Sequence, residues 1–99
     1  MNVYQLYEIT SKIRNNFWEN NHDSLCDNCI DVFTQMISIA FKNKFERDEL
    51  PKVFDIYDVN FNLNSFKKLI ATIGLNADIK LIKNDYVRGN SFRVTQLDS

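Results

Sequence analysis

Apolar residues in the first half of the chain recur at intervals of three and four, the spacing of one face of an α-helix. In residues 2–20 this spacing predicts a first helix, and the polar run at residues 20–22 ends it. Its apolar positions are Val3, Leu6, Tyr7, Ile13 and Phe17. A second helix is predicted over about residues 24–42, with Asp23 or Ser24 as its N-terminal cap.

The apolar arc of the second helix is unusually wide. It consists of Cys26, Cys29, Ile30, Phe33, Met36, Ile37, Ala40 and Phe41, with a flank of Leu25, Val32 and Ile39. A helix on the surface of a small domain needs a narrower stripe. We therefore expect either a central core helix or a homodimer formed through the first two helices.

Residues 43–48 are polar and predict a loop, and the segment after them has two interpretations. Pro51 suits the first turn of a short third helix ending at Tyr57 or Asp58, because the N–H that proline lacks has no partner there. Residues 53–59 are also rich in β-branched and aromatic residues and precede a turn-like Asn-Phe-Asn, which is typical of a strand. The helix is the preferred interpretation, and the strand is the alternative.

Residues 63–73 predict a fourth helix, which Asn62 can cap and Gly74 can end. Its apolar arc contains Leu63, Phe66, Leu69, Ile70 and Ile73, and its other face contains Asn64, Lys67, Lys68, Ala71 and Thr72. Residues 77–82 and 91–95 alternate as two half-buried strands joined by a loop at residues 83–90. The predicted fold class is α+β, mostly helical, with about four helices and a C-terminal two-stranded hairpin. We expect one domain, residues 1–99, whose helical part spans residues 1–43.

The order helix, turn, helix and hairpin over residues 48–97 resembles the winged helix-turn-helix superfamily, whose members mostly bind duplex DNA. The resemblance equates residues 63–73 with the recognition helix, Gly74 and Leu75 with the bend after it, and residues 79–82 and 92–97 with the strands of the wing. It implies a small DNA-binding transcription regulator of phage or bacterial type that acts as a homodimer. The chain departs from the pattern because residues 58–61 contain no glycine.

The distribution of charge agrees with a basic C-terminal half. The net charge is −1, and residues 1–50 contain five basic and eight acidic residues. Residues 67–93 contain six basic residues and only two acids, so positive charge gathers where the resemblance places the recognition helix and wing. The predicted DNA-binding residues are Asn64, Lys67, Lys68, Thr72, Lys83, Arg88 and Arg93. Those on the helix suit base edges and those on the hairpin suit phosphates.

A second hypothesis is a protein-binding inhibitor or adaptor, for example a phage-encoded inhibitor of a host enzyme or defence complex. A fold of this kind does not fix its function. Four acids in the first two-thirds of the chain, Asp27, Asp31, Asp55 and Asp58, are expected to form a surface for a basic partner. Aromatic residues of the first helix, Tyr4, Tyr7 and Trp18, are typical of an interface as well as of a core.

Enzymatic, cofactor and metal chemistry are not expected. Cys26 and Cys29 form a C-x-x-C, but both fall on the apolar stripe, and a structural zinc site needs four ligands where only His22 and perhaps Asp23 lie nearby. We interpret the cysteines as buried thiols. His22 has no evident nucleophile or orienting acid. No signal peptide or membrane-length apolar run is present, so a cytoplasmic protein is expected.

Overall fold

The computed structural model describes residues 1–20, 25–42, 49–85 and 87–97, with the backbone alone for residues 14–20 and 25–28. Its elements are α1 (Val3–Asn20), α2 (Leu25–Lys42), β1 (Val53–Val59), α3 (Leu63–Thr72), β2 (Ala77–Asp85) and β3 (Gly89–Gln96). These elements confirm the α+β class. The chain divides into two compact units, Met1–Pro51 and Lys52–Ser99.

The first unit is a pair of packed helices of 18 residues each. Helix α1 begins with a reciprocal cap, in which Asn2 Oδ1 accepts from the Gln5 backbone N–H at 3.0 Å and Gln5 Oε1 accepts from the Asn2 N–H at 2.9 Å. These two bonds satisfy donors that a helix start leaves without partners. The end of this unit contacts its beginning, because the Leu50 N–H donates to the Met1 carbonyl at 3.0 Å.

The buried residues of the first unit confirm most of the predicted stripe. On the helices, the buried apolar residues are Val3 and Leu6 of α1 and Cys29, Val32, Phe33, Met36 and Ala40 of α2. Tyr7, predicted on the apolar face, is instead 51% exposed, and Phe41 is 49% exposed. Ile30, Ile37 and Ile39 are half-buried, so the wide arc of α2 is covered only in part. The predicted caps Asp23 and Ser24, and the side chains of Phe17, Leu25 and Cys26, lie outside the described residues.

The predicted third helix is wrong, because residues 53–59 form strand β1. Phe54 and Ile56 are buried while Val53 and Tyr57 are exposed, which is the two-residue period of a strand. Pro51 is a local signal for a helix start. The pairing of residues 53–59 with β3 outweighs the helix signal of Pro51. On β3 the backbone of these β-forming residues finds its hydrogen-bond partners. The described residues therefore form three helices, and a strand precedes α3 where the helix–turn–helix pattern requires a helix.

The predicted two-stranded hairpin is part of a three-stranded antiparallel sheet with the order β1-β3-β2. The central strand β3 pairs with both others, so Arg93 stands opposite Asp55 on one side and Lys80 on the other. The hairpin strands also extend further than predicted. Residues 83–85 and 89–90, expected in the loop, belong to β2 and β3. A bulge between Leu81 and Lys83 shifts the register of β2.

Helix α3 covers one face of this sheet. Its cap and its end are as predicted, since Asn62 Oδ1 accepts from the Ser65 N–H at 2.8 Å and Gly74 is left-handed at φ +83°. The Phe66 ring stacks on the Phe92 ring with centroids 4.4 Å apart. On the same face of the sheet as Phe92, the side chains of Phe54, Ile56, Ile79 and Val94 are also buried. Leu81, predicted on the buried side, is 46% exposed.

The connection from β1 to α3 lies beside the hairpin turn. Val59 pairs with Asn90, whose side-chain amide donates to the carbonyl of Phe61. Asp58 has φ +53°, which an aspartate tolerates better than most residues. The N-terminal end of α3 and the turn at residues 87–88 are therefore at the same end of the second unit.

Candidate interaction surfaces

The outer face of α3 presents one group of the predicted DNA-binding residues. Asn64, Lys67, Lys68 and Thr72 are all exposed, because Phe66, Leu69 and Ile70 turn the opposite side of the helix toward the sheet. The helix contains no acidic residue. The hydroxyl of Thr72 donates to the backbone carbonyl of Lys68 at 2.7 Å, so this group is already used locally.

The hairpin carries Lys83 and Arg88. Lys83 Nζ lies 3.8 Å from Asp85 Oδ2, and this exposed ion pair reduces the positive charge near the turn. Arg88 is exposed in the turn itself. Val87 beside it is 91% exposed and donates its N–H to Asp85 Oδ1 at 2.9 Å.

Arg93 occupies the side of β3 that points away from α3, because successive side chains of a strand alternate and Phe92 faces the helix. Its Nε donates to Asp55 Oδ1 at 2.9 Å and its Nη2 donates to Asp55 Oδ2 at 3.1 Å. Tyr57 adds its hydroxyl to Asp55 Oδ2 at 3.1 Å. One carboxylate therefore holds a guanidinium and a phenol ring in fixed positions on two strands.

The ionisation of these three groups reflects the same contacts. The hydrogen bond from Arg93 lowers the pKa of Asp55, and the Tyr57 hydroxyl adds to that effect. The hydrogen bond to Asp55 raises the pKa of Tyr57, and Asp55 likewise raises the pKa of Arg93. All three groups stay in their ordinary charge states at neutral pH.

We call the side of the sheet away from α3 the open face. It consists of Val53, Asp55 and Tyr57 on β1, Arg93 and Thr95 on β3, and Asp78, Lys80, Lys83 and Asp85 on β2. Three cations and three carboxylates are mixed on it. Tyr57 and Val53 add apolar surface, at 53% and 48% exposed.

The seven predicted DNA-binding residues therefore do not share one surface. Lys83 and Arg93 lie on the open face, and Asn64, Lys67, Lys68 and Thr72 lie on the outer face of α3, with the helix and the sheet between them. Arg88 lies in the turn, at the end where α3 begins. The structure brings together Lys80, Lys83 and Arg93, and separately the four residues of α3.

The predicted acidic surface is not formed as expected on a short third helix. Asp55 is a strand residue bound to Arg93, and Asp58 lies in the left-handed bend that follows. Asp31 is exposed on α2, and the side chain of Asp27 lies outside the described residues. On α1, Tyr4 is 76% exposed and Tyr7 is 51% exposed, whereas the side chain of Trp18 is not described.

The described part of the chain contains no cluster of side chains that could hold a metal ion. Cys29 is buried, as predicted, and His22 lies outside the described residues. Among residues 1–20, 25–42, 49–85 and 87–97, no three histidine, cysteine, aspartate or glutamate side chains are grouped to hold a metal ion. Within the same ranges, no helix has the length and hydropathy to cross a membrane.

The Asp55–Arg93–Tyr57 network is the feature that sequence reasoning missed. Its signal was available in the alternation of residues 53–59, which places Asp55 and Tyr57 on one side of a strand. Comparison of the chain with protein-family models, with curated proteins and with solved structures found no match. The function is therefore argued from the chain's own residues.

Proposed function

We propose that the protein is a non-enzymatic protein-binding module and that the open face of its sheet contacts the partner. The observation that carries this proposal is the equal number of positive and negative side chains on that face. Asp55, Asp78 and Asp85 stand among Lys80, Lys83 and Arg93, so the face has no excess of either sign. A polyanion such as DNA gains little there, since its affinity comes mainly from clustered cations that neutralise phosphates.

The residue types of the open face support the same proposal. Tyrosine and arginine are enriched at the energetic centres of protein interfaces, and Tyr57 and Arg93 lie on neighbouring strands. Both are held by Asp55, so less side-chain entropy is lost when a partner covers them. The buried thiol of Cys29 suits an intracellular setting, where thiols stay reduced.

Two matched double variants test this proposal in a capture experiment. Lys80→Glu/Lys83→Glu reverses two charges on the open face, and Lys67→Glu/Lys68→Glu reverses two on α3. Tagged wild-type protein is cross-linked in lysate treated with nuclease, captured proteins are identified, and the affinity of each purified protein is measured by calorimetry. We expect the open-face variant to lose the interaction and the α3 variant to keep it. The proposal would be rejected if only the α3 variant lost the interaction. It would also be rejected if a partner captured from untreated lysate were no longer captured after nuclease treatment.

Duplex DNA binding through α3 is the second candidate function, and one observation favours it. The outer face of α3 has two adjacent lysines, no acid on the helix, and Asn64 near the end where Arg88 lies. Lysine and asparagine can contact phosphates and base edges in the major groove. This is the function that the winged-helix resemblance implies, with α3 as the recognition helix.

Replacing Lys67, Lys68, Lys83 and Arg88 together with alanine tests the second candidate. If α3 and the turn bind DNA, affinity in a gel-shift assay should fall by orders of magnitude while circular dichroism stays unchanged. Unchanged affinity would reject this candidate. Binding by wild-type protein that vanishes at about 150 mM salt would indicate nonspecific electrostatic contact.

Homodimerisation is a further part of the proposal. It is supported by the partly covered arc of α2, where Ile30 and Ile37 are half-buried and Phe41 is 49% exposed. Tyr4 and Tyr7 add exposed aromatic surface on α1. Sedimentation equilibrium of wild-type protein and of Phe41→Ser tests it. We expect a dimer that the variant weakens, and a wild-type monomer at all concentrations would contradict it.

A further inference from the structure

Two cations stand side by side on the open face. Lys80 on β2 and Arg93 on β3 are directly opposite partners in the sheet register. Cβ atoms of such pairs are about 5 Å apart, and like charges in this position destabilise a sheet. Asp55 binds Arg93 from the other side. Among the described residues, the ion pairs are Lys12–Glu8, Lys83–Asp85 and Arg93–Asp55, and none of them includes Lys80. An unneutralised positive charge therefore remains between β2 and β3.

The guanidinium of Arg93 has donors left for a second carboxylate. Of its five N–H groups, the bonds to Asp55 use the one on Nε and one on Nη2. The hydrogens of Nη1 and the second hydrogen of Nη2 are directed away from Asp55. A carboxylate placed between Arg93 and Lys80 would accept from both and would relieve their repulsion.

Apolar surface lies on the other side of the same network. Tyr57 and Val53 are exposed on β1 and flank Asp55 at intervals of two residues. The Tyr57 hydroxyl donates to Asp55, and the residue as a whole is 53% exposed. A side chain that packs on the Tyr57 ring would be separated from a carboxylate at Lys80 by the central strand β3.

We infer that the open face binds an acidic segment of a partner protein. A glutamate or aspartate of that segment accepts from Lys80 and Arg93, and a neighbouring apolar side chain packs on Tyr57 and Val53. This inference rests on the proposed protein-binding function. It favours a peptide carboxylate over a nucleic acid because Asp55 and Asp78 line the same face and repel a continuous chain of phosphates.

A selection from random peptides tests the chemistry of the occupant. Short peptides displayed on phage are selected on immobilised wild-type protein, with Lys80→Glu protein as the competing bait. We expect the enriched peptides to share an acidic residue beside an apolar or aromatic one. Absence of enrichment over the Lys80→Glu bait, or enrichment of peptides without acids, would overturn the inference.

The best selected peptide is then compared with its Glu→Gln analogue by calorimetry and by NMR titration of isotopically labelled protein. We expect the analogue, and separately Lys80→Ala, to lose affinity by about tenfold or more, because the analogue lacks the negative charge that both cations bind and Lys80→Ala removes one of the two donors. Lys67→Ala is the matched control and should change nothing. Chemical shift changes should concentrate at Tyr57, Lys80, Arg93 and Thr95, and changes confined to α3 would overturn the inference.

Failure of this inference can be separated from failure of the proposed function. If a captured partner still depends on the open face but binds Lys80→Ala as tightly as wild type, protein binding stands and the carboxylate site is wrong. If the partner instead depends on Lys67 and Lys68, both are wrong. Tighter binding of a single-stranded RNA oligonucleotide than of any peptide at the same residues would also reject the carboxylate site.

Discussion

The guanidinium of Arg93 binds both carboxylate oxygens of Asp55 across strands β3 and β1, at 2.9 and 3.1 Å. This pair removes from the cationic surface one of the residues expected to contact DNA. It also fixes Tyr57, whose hydroxyl shares the same carboxylate. By neutralising Arg93 and holding Tyr57 in place, Asp55 makes this part of the sheet better suited to a protein partner than to DNA.

The first prediction concerns the pH dependence of this pair. Because the pKa of Asp55 is lower in the folded protein than in the unfolded chain, the pair contributes stability above the ordinary aspartate pKa and loses it as pH falls through the lowered value. Asp55→Asn should therefore lower the free energy of unfolding at pH 7, and its difference from wild type should shrink as the pH falls below the ordinary aspartate pKa and Asp55 takes up a proton. Urea denaturation at several pH values measures this difference. Asp78→Asn on the same face is the control, and an Asp55→Asn effect that does not shrink as the pH falls would argue against the ion pair.

The second prediction concerns the stacked rings of Phe66 and Phe92. Both are fully buried, so Phe66→Ala removes a large apolar side chain and leaves a cavity under α3. We expect a loss of about 3–5 kcal/mol in the free energy of unfolding. Val87→Ala, at a residue that is 91% exposed, should cost less than about 1 kcal/mol. Equal effects in urea denaturation would show that Phe66 is not at the centre of the core.

The third prediction compares two glycines with positive φ. A Cβ at Gly89 would lie 2.6 Å from the carbonyl oxygen of Val59, whereas a Cβ at Gly74 would meet nothing within 4 Å. Gly74→Ala should therefore cost only its backbone strain, about 1 kcal/mol. Gly89→Ala should cost a further ~1–3 kcal/mol, because the end of β1 must move. Thermal or chemical denaturation orders the two, and a reversed order would contradict the observed approach of β1 to the hairpin turn.

The fourth prediction concerns the start of α3. The Asn62 side chain accepts from the Ser65 N–H at 2.8 Å, so Asn62→Ala should destabilise the protein by about 1 kcal/mol. Asn62→Asp keeps the acceptor and should stay close to wild type. A destabilised Asn62→Asp alongside a neutral Asn62→Ala would mean that the side chain has another role.

Local signals in the sequence predicted the parts of the fold that depend on neighbouring residues. The two long helices, the cap at Asn62, the end of α3 at Gly74 and the alternation of residues 91–95 are all visible in short windows. Strand β1 was mistaken for a helix because Pro51 resembles a helix start. The partner that decides in favour of a strand, β3, lies far along the chain.

The Asp55–Arg93–Tyr57 network on the open face also depends on the pairing of β1 with β3. Once residues 53–59 are taken as a helix, Asp55 and Asp58 become neighbours on a helix face, and Arg93 has no reason to meet Asp55. The separation of Lys67 and Lys68 from Lys83 and Arg93 likewise follows from α3 packing on one side of the sheet, and the sign and spacing of charges along the chain do not reveal it. The winged-helix resemblance stays a prediction.

We propose that the division of cations between the outer face of α3 and the open face prevents strong DNA binding. Fluorescence anisotropy of labelled duplex DNA at about 150 mM salt tests it directly, with Lys67→Ala/Lys68→Ala and Lys80→Ala/Lys83→Ala as matched variants. We predict weak binding that both variants reduce to the same small extent, since each removes two cations from a nonspecific contact. Tight binding by wild-type protein that only Lys67→Ala/Lys68→Ala abolishes would contradict the account.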